Sequence, residues 1–222
     1  MDAAQGQDVF DPRVRSRTCP IACSEFQALE IDPRSRDAWF NRAQVLVAIG
    51  QCEAGIACFD RLLAVEPRYA SGWFYKAAAH SSLGQEEEAL RCYEHALAID
   101  PRHVNAWFNR ASTLIILRRW EEGIACFDRL LAVDPKHKAA WNGRGQAFLN
   151  LGRHQAAMRS LDEALALDSR YYLAWFNKAA AHEQLGERRQ AMTAYQQFLA
   201  AAPPQAAKLR ARAERRLLEL AQ

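Results

Sequence analysis

Residues 36–69 read RDAWFNRAQVLVAIGQCEAGIACFDRLLAVEPRY, and the same pattern recurs four more times along the 222-residue chain. Tryptophan returns at one constant interval, at Trp39, Trp73, Trp107, Trp141 and Trp175. Proline keeps the same period at Pro33, Pro67, Pro101, Pro135 and Pro203. A fixed period of about 34 residues indicates an array of stacked repeats, in which each unit buries its apolar face against its neighbours.

Each unit contains two helical patterns separated by a turn. In the first unit, apolar and small residues lie at helical spacing at Ala38, Trp39, Ala43, Leu46 and Ile49. Gly50 then marks the end of the first helix. A second stripe follows at Gly55, Ile56, Phe59, Leu62 and Leu63. It ends at Glu66, because Pro67 disfavours helical geometry in the residue before it. Each unit is therefore predicted to be a helical hairpin.

Three further positions are shared by most units. The turn glycines are Gly50, Gly84, Gly152 and Gly186; the small residues are Gly55, Ala89, Gly123, Ala157 and Ala191; the large residues are Phe59, Tyr93, Phe127, Leu161 and Tyr195. This pattern resembles the tetratricopeptide repeat family in a tandem array of the bacterial type. The chain departs from the family pattern at Arg118, which replaces the turn glycine, and at Ser169, which replaces the closing proline.

The resemblance implies an all-α fold, a right-handed α-solenoid of stacked helix-turn-helix repeats. Five repeats are expected, at residues 36–69, 70–103, 104–137, 138–171 and 172–205. Residues 1–18 show no helical stripe and are predicted to be flexible. Residues 19–35 are predicted to form an N-terminal capping helix or a degenerate half repeat. Residues 206–222 are predicted to form a basic amphipathic helix that caps the other end of the array.

Composition excludes several classes of protein. The formal net charge of +3 is too small to indicate a nucleic-acid-binding protein. No run approaches the roughly 20 apolar residues of a membrane span, and the first residues lack the features of a secretory signal. We therefore expect no membrane span and a cytoplasmic location. Cys58, Cys92 and Cys126 occupy the same point of successive repeats and are interpreted as small packing residues. No metal-ligand set or cofactor motif is present, so neither is expected.

The resemblance also implies a concave groove lined by the first helix of each repeat. The predicted groove residues follow the tryptophans: Phe40, Asn41, Phe74, Tyr75, Phe108, Asn109, Asn142, Phe176 and Asn177. Because an asparagine amide both donates and accepts hydrogen bonds, the matching positions Asn41, Asn109 and Asn177 suit the main chain of an extended peptide. Tyr75 and Gly143 interrupt this series. In the alternative interpretation, the phenylalanines only pack between repeats and the asparagines are solvated.

An apolar pocket is predicted in the middle of the groove. Ile115, Ile116 and Leu149 lie beside Asn142, where the phenylalanine of the pattern is missing. We expect this pocket to accept an apolar anchor of a partner protein or peptide, because such anchors usually supply most of the interface energy.

A basic residue also recurs once per repeat, at Arg42, Lys76, Arg110, Arg144 and Lys178. These five ladder cations suggest an alternative function, binding of an acidic protein or a nucleic acid through the ladder and the C-terminal helix. The opposing interpretation is that their aliphatic stems cover apolar surface and leave the charge in water. Nucleic acid is not the expected partner.

No catalytic constellation is evident, since catalysis needs a nucleophile, acid or base close to a partner group. His80 and His182 occupy equivalent positions three repeats apart and are interpreted as hydrogen-bonded core residues. The sequence therefore predicts a non-catalytic scaffold that binds a protein or peptide and has no cofactor. Weak self-association through the terminal helices is a further possibility.

Overall fold

The computed structural model describes Asp32 and residues 34–222. Within these residues it contains eleven α-helices and no β-strand. The helices are α1 Arg36–Ala48, α2 Cys52–Val65, α3 Ala70–Ser82, α4 Glu86–Ile99, α5 Val104–Ile116, α6 Trp120–Val133, α7 Lys138–Asn150, α8 His154–Leu167, α9 Tyr172–Gln184, α10 Arg188–Ala201 and α11 Ala207–Ala221. A short 3-10 turn, Pro204–Ala206, precedes α11. The predicted flexible segment and most of the predicted N-terminal capping helix lie outside the described residues.

The helices stack as an α-solenoid, as the repeat pattern predicts. From α1 to α9 the odd-numbered helices have 13 residues each, and from α2 to α10 the even-numbered helices have 14, so both series keep the period of the sequence pattern. Each helix contacts the next along the chain, and α1, α3, α5, α7 and α9 also contact one another in turn. Because successive odd-numbered helices lie this close together, they form the inner, concave layer of the array.

One large side chain per repeat fills the space between the paired helices. These side chains are the predicted Phe59, Tyr93, Phe127, Leu161 and Tyr195, and all five are buried. The small residues one turn earlier are buried as well, which lets the two helices approach closely. Within the described residues, the core is therefore a row of six clusters along the array, and most of them join neighbouring repeats.

The turn inside each repeat requires a left-handed backbone. Gly50, Gly84, Gly152 and Gly186 have φ angles between +69° and +84°. Arg118 occupies the same position in the third repeat and has a φ of +59°. For a residue that carries a Cβ atom, this conformation costs roughly 1–2 kcal/mol. The third repeat therefore keeps the turn of its neighbours at the expense of backbone strain.

Replacing Arg118 with glycine is expected to raise the free energy of unfolding by about 1 kcal/mol, because the strain disappears. Arg118 is exposed, so the change removes little packing. Urea denaturation followed by circular dichroism measures the difference. The matched control is Gly84→Ala, which introduces the same strain in the second repeat and should lower stability by a similar amount. Equal stability of Arg118→Gly and the unmodified protein would contradict this interpretation.

The last helix closes the C-terminal end of the array. Ala213 of α11 is fully buried in a cluster with Tyr195 and Phe198 of α10 and Phe176 of α9. Nη1 of Arg210 donates hydrogen bonds of 2.9 Å to the main-chain carbonyls of Leu199 and Ala202, at the end of α10. The side chains of α11 thus cover apolar surface that the fifth repeat would otherwise expose. In the part of the chain that the structure describes, every helix falls short of the length and apolar character needed to cross a bilayer.

Candidate functional site

A cavity of about 770 Å³ lies on the concave side near the C-terminal end of the array. Side chains of α7, α9 and α11 form most of its wall. We call it the terminal cavity, and it is lined by Asn142, Gln146, Leu149, Asn150, Gly152, His154, Leu173, Phe176, Asn177, Ala180, Gln184, Leu209 and Arg212. The contact between α7 and α9 brings residues of the fourth and fifth repeats to one surface, and α11 adds a third side.

The lining combines two kinds of chemistry. Five side-chain amides can each donate and accept hydrogen bonds, namely Asn142, Gln146, Asn150, Asn177 and Gln184. Leu149, Leu173, Phe176 and Leu209 supply apolar surface between them. Binding sites typically pair a mostly apolar surface with a few polar groups that fix orientation, and this cavity is within their usual size range.

Two of the predicted groove residues bond to each other. Nδ2 of Asn177 donates to Oδ1 of Asn142 at 2.9 Å, across the junction between the fourth and fifth repeats. Asn142 is buried and Asn177 is half-buried. The bond leaves the amide group of Asn142 and the carbonyl oxygen of Asn177 able to bond other partners. It also fixes the orientation of both side chains at the cavity wall.

The predicted groove phenylalanines pack against the large side chain of their own repeat. The ring centroids are 6.2 Å apart for Phe40 and Phe59, 6.0 Å for Phe74 and Tyr93, 6.1 Å for Phe108 and Phe127, and 5.9 Å for Phe176 and Tyr195. Phe40, Phe74 and Phe108 are half-buried, and Phe176 is buried. Packing is thus one function of these rings, as the alternative interpretation had it, and Phe176 is the member of the group that also lines the cavity.

The positions of the predicted asparagine series differ in exposure and packing along the groove. Asn41 is exposed, whereas Asn109 is half-buried. Tyr75 is 39% exposed. At Gly143, an added Cβ atom would lie 2.5 Å from Cζ of Phe127, so the ring of Phe127 fills the space that a side chain would need. Close packing explains the interruption at Gly143.

A central pocket was predicted from Ile115, Ile116 and Leu149, and two of these residues, Ile115 and Leu149, pack against the same buried cluster, which contains Ile124 and Phe148. Ile115 also packs against the neighbouring cluster, which contains Phe127, and Ile116 is 66% exposed. Only Leu149 lines the terminal cavity. The terminal cavity lies at the junction of the fourth and fifth repeats, where α11 supplies its third wall.

The ladder cations are held by partners within the array. Each lies over the ring of the tryptophan three residues earlier, with 5.3–5.9 Å from the charged group to the ring centroid. Four pair with a carboxylate on the second helix of the preceding repeat: Lys76 with Asp60 at 2.6 Å, Arg110 with Glu94 at 2.5 Å, Arg144 with Asp128 at 2.7 Å, and Lys178 with Asp162 at 2.6 Å. The exposed fraction of these four basic side chains is only 16–25%.

Sequence reasoning missed the acidic partners of the ladder, although their spacing was visible. Asp60, Glu94, Asp128 and Asp162 share the period of the repeats, and each precedes its cation by the same interval. The indole N–H of the tryptophan completes the arrangement, since Trp107 donates to the main-chain carbonyl of Pro101 at 2.9 Å, and Trp73, Trp141 and Trp175 make the equivalent bond. Each of these junctions between repeats therefore contains a stacked and ion-paired cation.

Acidic and basic groups also bind α11 to the fifth repeat. Arg216 donates to both carboxylate oxygens of Glu183 on α9, with its Nη2 at 2.5 Å from Oε2. Burial raises the pKa of the Tyr195 hydroxyl, and the hydrogen bond with Glu183 raises it further. His182 is buried, and its Nδ1 lies 2.5 Å from Oε2 of Glu187. This contact agrees with the prediction that His182 is a hydrogen-bonded core residue.

The chain is similar to proteins built from tetratricopeptide repeats. Four models of the tetratricopeptide repeat match residues 70–103, 92–125, 117–172 and 173–204, which together span residues 70–204. No curated protein sequence matches significantly.

Several solved structures share the fold. YrrB, described as a TPR protein with an unusual peptide-binding site, superposes with a TM-score of 0.72 at 17% identity, over 86% of this chain and 98% of that chain. MamA from Desulfovibrio magneticus RS-1 gives a TM-score of 0.71 at 14% identity, over 75% and 94%. TTC0263, a thermophilic TPR protein of Thermus thermophilus, gives a TM-score of 0.63 at 22% identity, over 83% and 100%. At these identities the similarity concerns the fold.

Proposed function

Because the chain belongs to the tetratricopeptide repeat family, we propose that it is a non-catalytic scaffold that holds an extended segment of a partner protein in the terminal cavity. The tetratricopeptide repeat fold is generally that of a protein–protein interaction scaffold. The observation that carries the finer proposal is the composition of the cavity, in which five side-chain amides surround an apolar surface.

The amides suit the main chain of a peptide. Every residue of an extended peptide other than proline presents one N–H donor and one C=O acceptor, and both need partners when the peptide is buried. Asn142 and Asn177 are held in place by their mutual hydrogen bond and so present their remaining groups without a large loss of side-chain freedom. The apolar surface near Leu173 can accept one side chain of the peptide. YrrB, whose fold is similar, is described as having a peptide-binding site, and this supports the proposal.

The contacts of the ladder cations favour a role for these residues in stability rather than in polyanion binding. Four of them are ion-paired and largely covered, so a polyanion would have to compete with the acidic partners already present. We therefore retain protein or peptide as the partner class and do not expect nucleic acid. Peptide binding should depend only moderately on salt, whereas binding of a polyanion through the ladder would fall steeply as salt rises.

Replacing Leu173 with aspartate should weaken peptide binding by at least about tenfold, since buried apolar anchors dominate interface energies. Leu173 lies in the first turn of α9, where a negative charge interacts favourably with the helix dipole, so the fold should tolerate the change. Peptides are first selected on the immobilised protein from a library of displayed random dodecapeptides. Their dissociation constants are then measured for both proteins by isothermal titration.

The matched control is Ile116→Asp, which places the same charge on the exposed residue of the predicted central pocket. Under the proposal, this variant binds the selected peptides within about threefold of the unmodified protein, because surface substitutions away from a site change energies by roughly 0.5 kcal/mol. Loss of binding with Ile116→Asp alone would move the site to the centre of the groove. Failure to select any peptide over an unrelated control protein would refute peptide binding.

A further inference from the structure

Arg212 continues the series of ladder cations into the C-terminal helix. It follows Lys178 by one full repeat period, and the buried Ala213 beside it follows the buried Ala179 by the same interval. By this register α11 corresponds to the first helix of a sixth repeat. The spacing assigns a tryptophan to position 209 and an acidic partner to position 196.

Both of those partners are missing in this register. Position 209 is leucine and position 196 is glutamine, whereas Lys178 has Trp175 and Asp162 at the corresponding positions. Among the residues that the structure describes, no carboxylate lies within 4 Å of the Arg212 guanidinium. Arg212 is exposed and lines the terminal cavity. The array therefore directs this sixth cation into the groove without the carboxylate partner that Lys76, Arg110, Arg144 and Lys178 have.

The environment of Arg212 suits recognition of an anion. Its guanidinium carbon lies 5.3 Å from the centroid of the Phe176 ring, and stacking on an aromatic face limits the positions that the long side chain can adopt. A guanidinium presents its donors in a planar fork that matches the two oxygens of a carboxylate. Leu209 and Phe176 supply apolar surface in the same cavity.

The charge distribution of the chain points the same way. Residues 138–222, which contain the cavity, carry 13 lysines and arginines against seven aspartates and glutamates, a formal net charge of +6. Residues 1–137 carry 16 against 19, a formal net charge of −3. An excess of this sign around a groove raises the local concentration of acidic segments and speeds their association.

We propose that Arg212 makes the terminal cavity selective for a peptide segment in which an aspartate or glutamate side chain lies next to an apolar residue. The carboxylate pairs with the guanidinium of Arg212, and the apolar side chain occupies the surface formed by Leu149 and Leu173. This inference rests on the proposed function and specifies its ligand. The excess of positive charge extends over the whole C-terminal part of the chain, which favours acidic side chains along a segment over the single carboxylate of a chain end.

The test is parallel selection from one library of random dodecapeptides whose C-termini are fused to the display protein, so that only side chains can supply carboxylates. The baits are the unmodified protein, Arg212→Gln and Lys208→Gln. Lys208 is exposed on the same helix, lies outside the cavity lining and carries the same charge, so its variant controls for net charge. Circular dichroism verifies that all three baits are folded.

The expected result is enrichment of aspartate or glutamate beside an apolar residue on the unmodified protein and on Lys208→Gln, and loss of the acidic preference on Arg212→Gln. A selected peptide, acetylated and amidated, should bind the unmodified protein about tenfold more weakly when its glutamate is changed to glutamine. The same change in the peptide should have little effect on binding to Arg212→Gln.

Two results would overturn the inference while leaving peptide binding in place. One is selection of peptides without an acidic preference, or with a preference that Arg212→Gln keeps. The other is an equal loss of affinity for the unmodified protein and for Arg212→Gln when the glutamate of the selected peptide is changed to glutamine. Failure of the unmodified protein to enrich any peptide over an unrelated control protein would overturn both this inference and the proposed function.

Discussion

Replacing Trp107 with alanine should lower the free energy of unfolding by about 3–5 kcal/mol, the range found for large aromatic residues in packed sites. Trp107 is half-buried and contacts two successive core clusters, one that contains Tyr93 and one that contains Phe127. Its loss leaves a cavity at the junction between the second and third repeats. Since a repeat array is stabilised mainly by contacts between neighbours, a weakened central junction affects both halves of the array.

The tryptophan also organises the polar part of the junction. Its Nε1 donates to the carbonyl of Pro101 at 2.9 Å, and its ring lies 5.9 Å from the guanidinium carbon of Arg110. Trp107→Phe keeps most of the buried surface and removes the hydrogen bond, so it should cost only about 1 kcal/mol. Equilibrium denaturation followed by circular dichroism measures all three proteins. A loss below about 1 kcal/mol for Trp107→Ala would contradict the assigned role of the repeated tryptophan.

Replacing Ala213 with glutamate should separate the terminal helix from the array at a cost of about 3–5 kcal/mol, because an unpaired charge cannot remain in an apolar site. Ala213 is fully buried among Phe198, Tyr195 and Phe176. Glutamate is a good helix former, so the expected effect comes from burial and not from helix propensity. Trypsin should then cleave at the arginines of α11 faster than in the unmodified protein.

The same substitution at Leu218 is the matched control. Leu218 lies on the same helix and is 69% exposed, so Leu218→Glu should change stability by no more than about 0.5 kcal/mol. Because α11 forms one wall of the terminal cavity, Ala213→Glu should also abolish peptide binding, whereas Leu218→Glu should preserve it. Similar protease resistance of the two variants would show that α11 is not held through Ala213. Leu218→Glu also tests the predicted weak self-association, by its effect on mass at high concentration.

The repeated part of the fold could be predicted from the sequence because every repeat carries the same signals at the same spacing. Trp39 and its equivalents set the period, and Pro67 and its equivalents set the helix ends. Arg118 has the positive φ angle of the equivalent glycines although it carries a side chain, because the same pair of helices flanks the turn in the third repeat as in the others. A single substitution at one turn is too small a change to alter a structure that five similar units determine together.

The terminal cavity could not be located in the same way. Its position depends on contacts between side chains of successive repeats, such as that between Asn142 and Asn177, and on the placement of α11 after the prolines at 203 and 204. Leu209 of α11 and Gln196 of α10 stand where the repeat pattern has tryptophan and an acidic residue, so α11 lacks two of the sequence signals that mark the other repeats. The pairing of the ladder cations was predictable in principle, because the acidic partners share the spacing of the repeats.

Nuclear magnetic resonance of the side-chain amides shows whether a partner peptide occupies the terminal cavity. A selected peptide is titrated into isotopically labelled protein while the side-chain NH₂ resonances of asparagine and glutamine are followed. Occupation of the cavity should cause saturable shifts for Asn142, Gln146 and Asn177, which line the cavity, and leave the resonances of Asn41 at the other end of the groove unchanged. Shifts at Asn41 without shifts at Asn142 and Asn177 would contradict it.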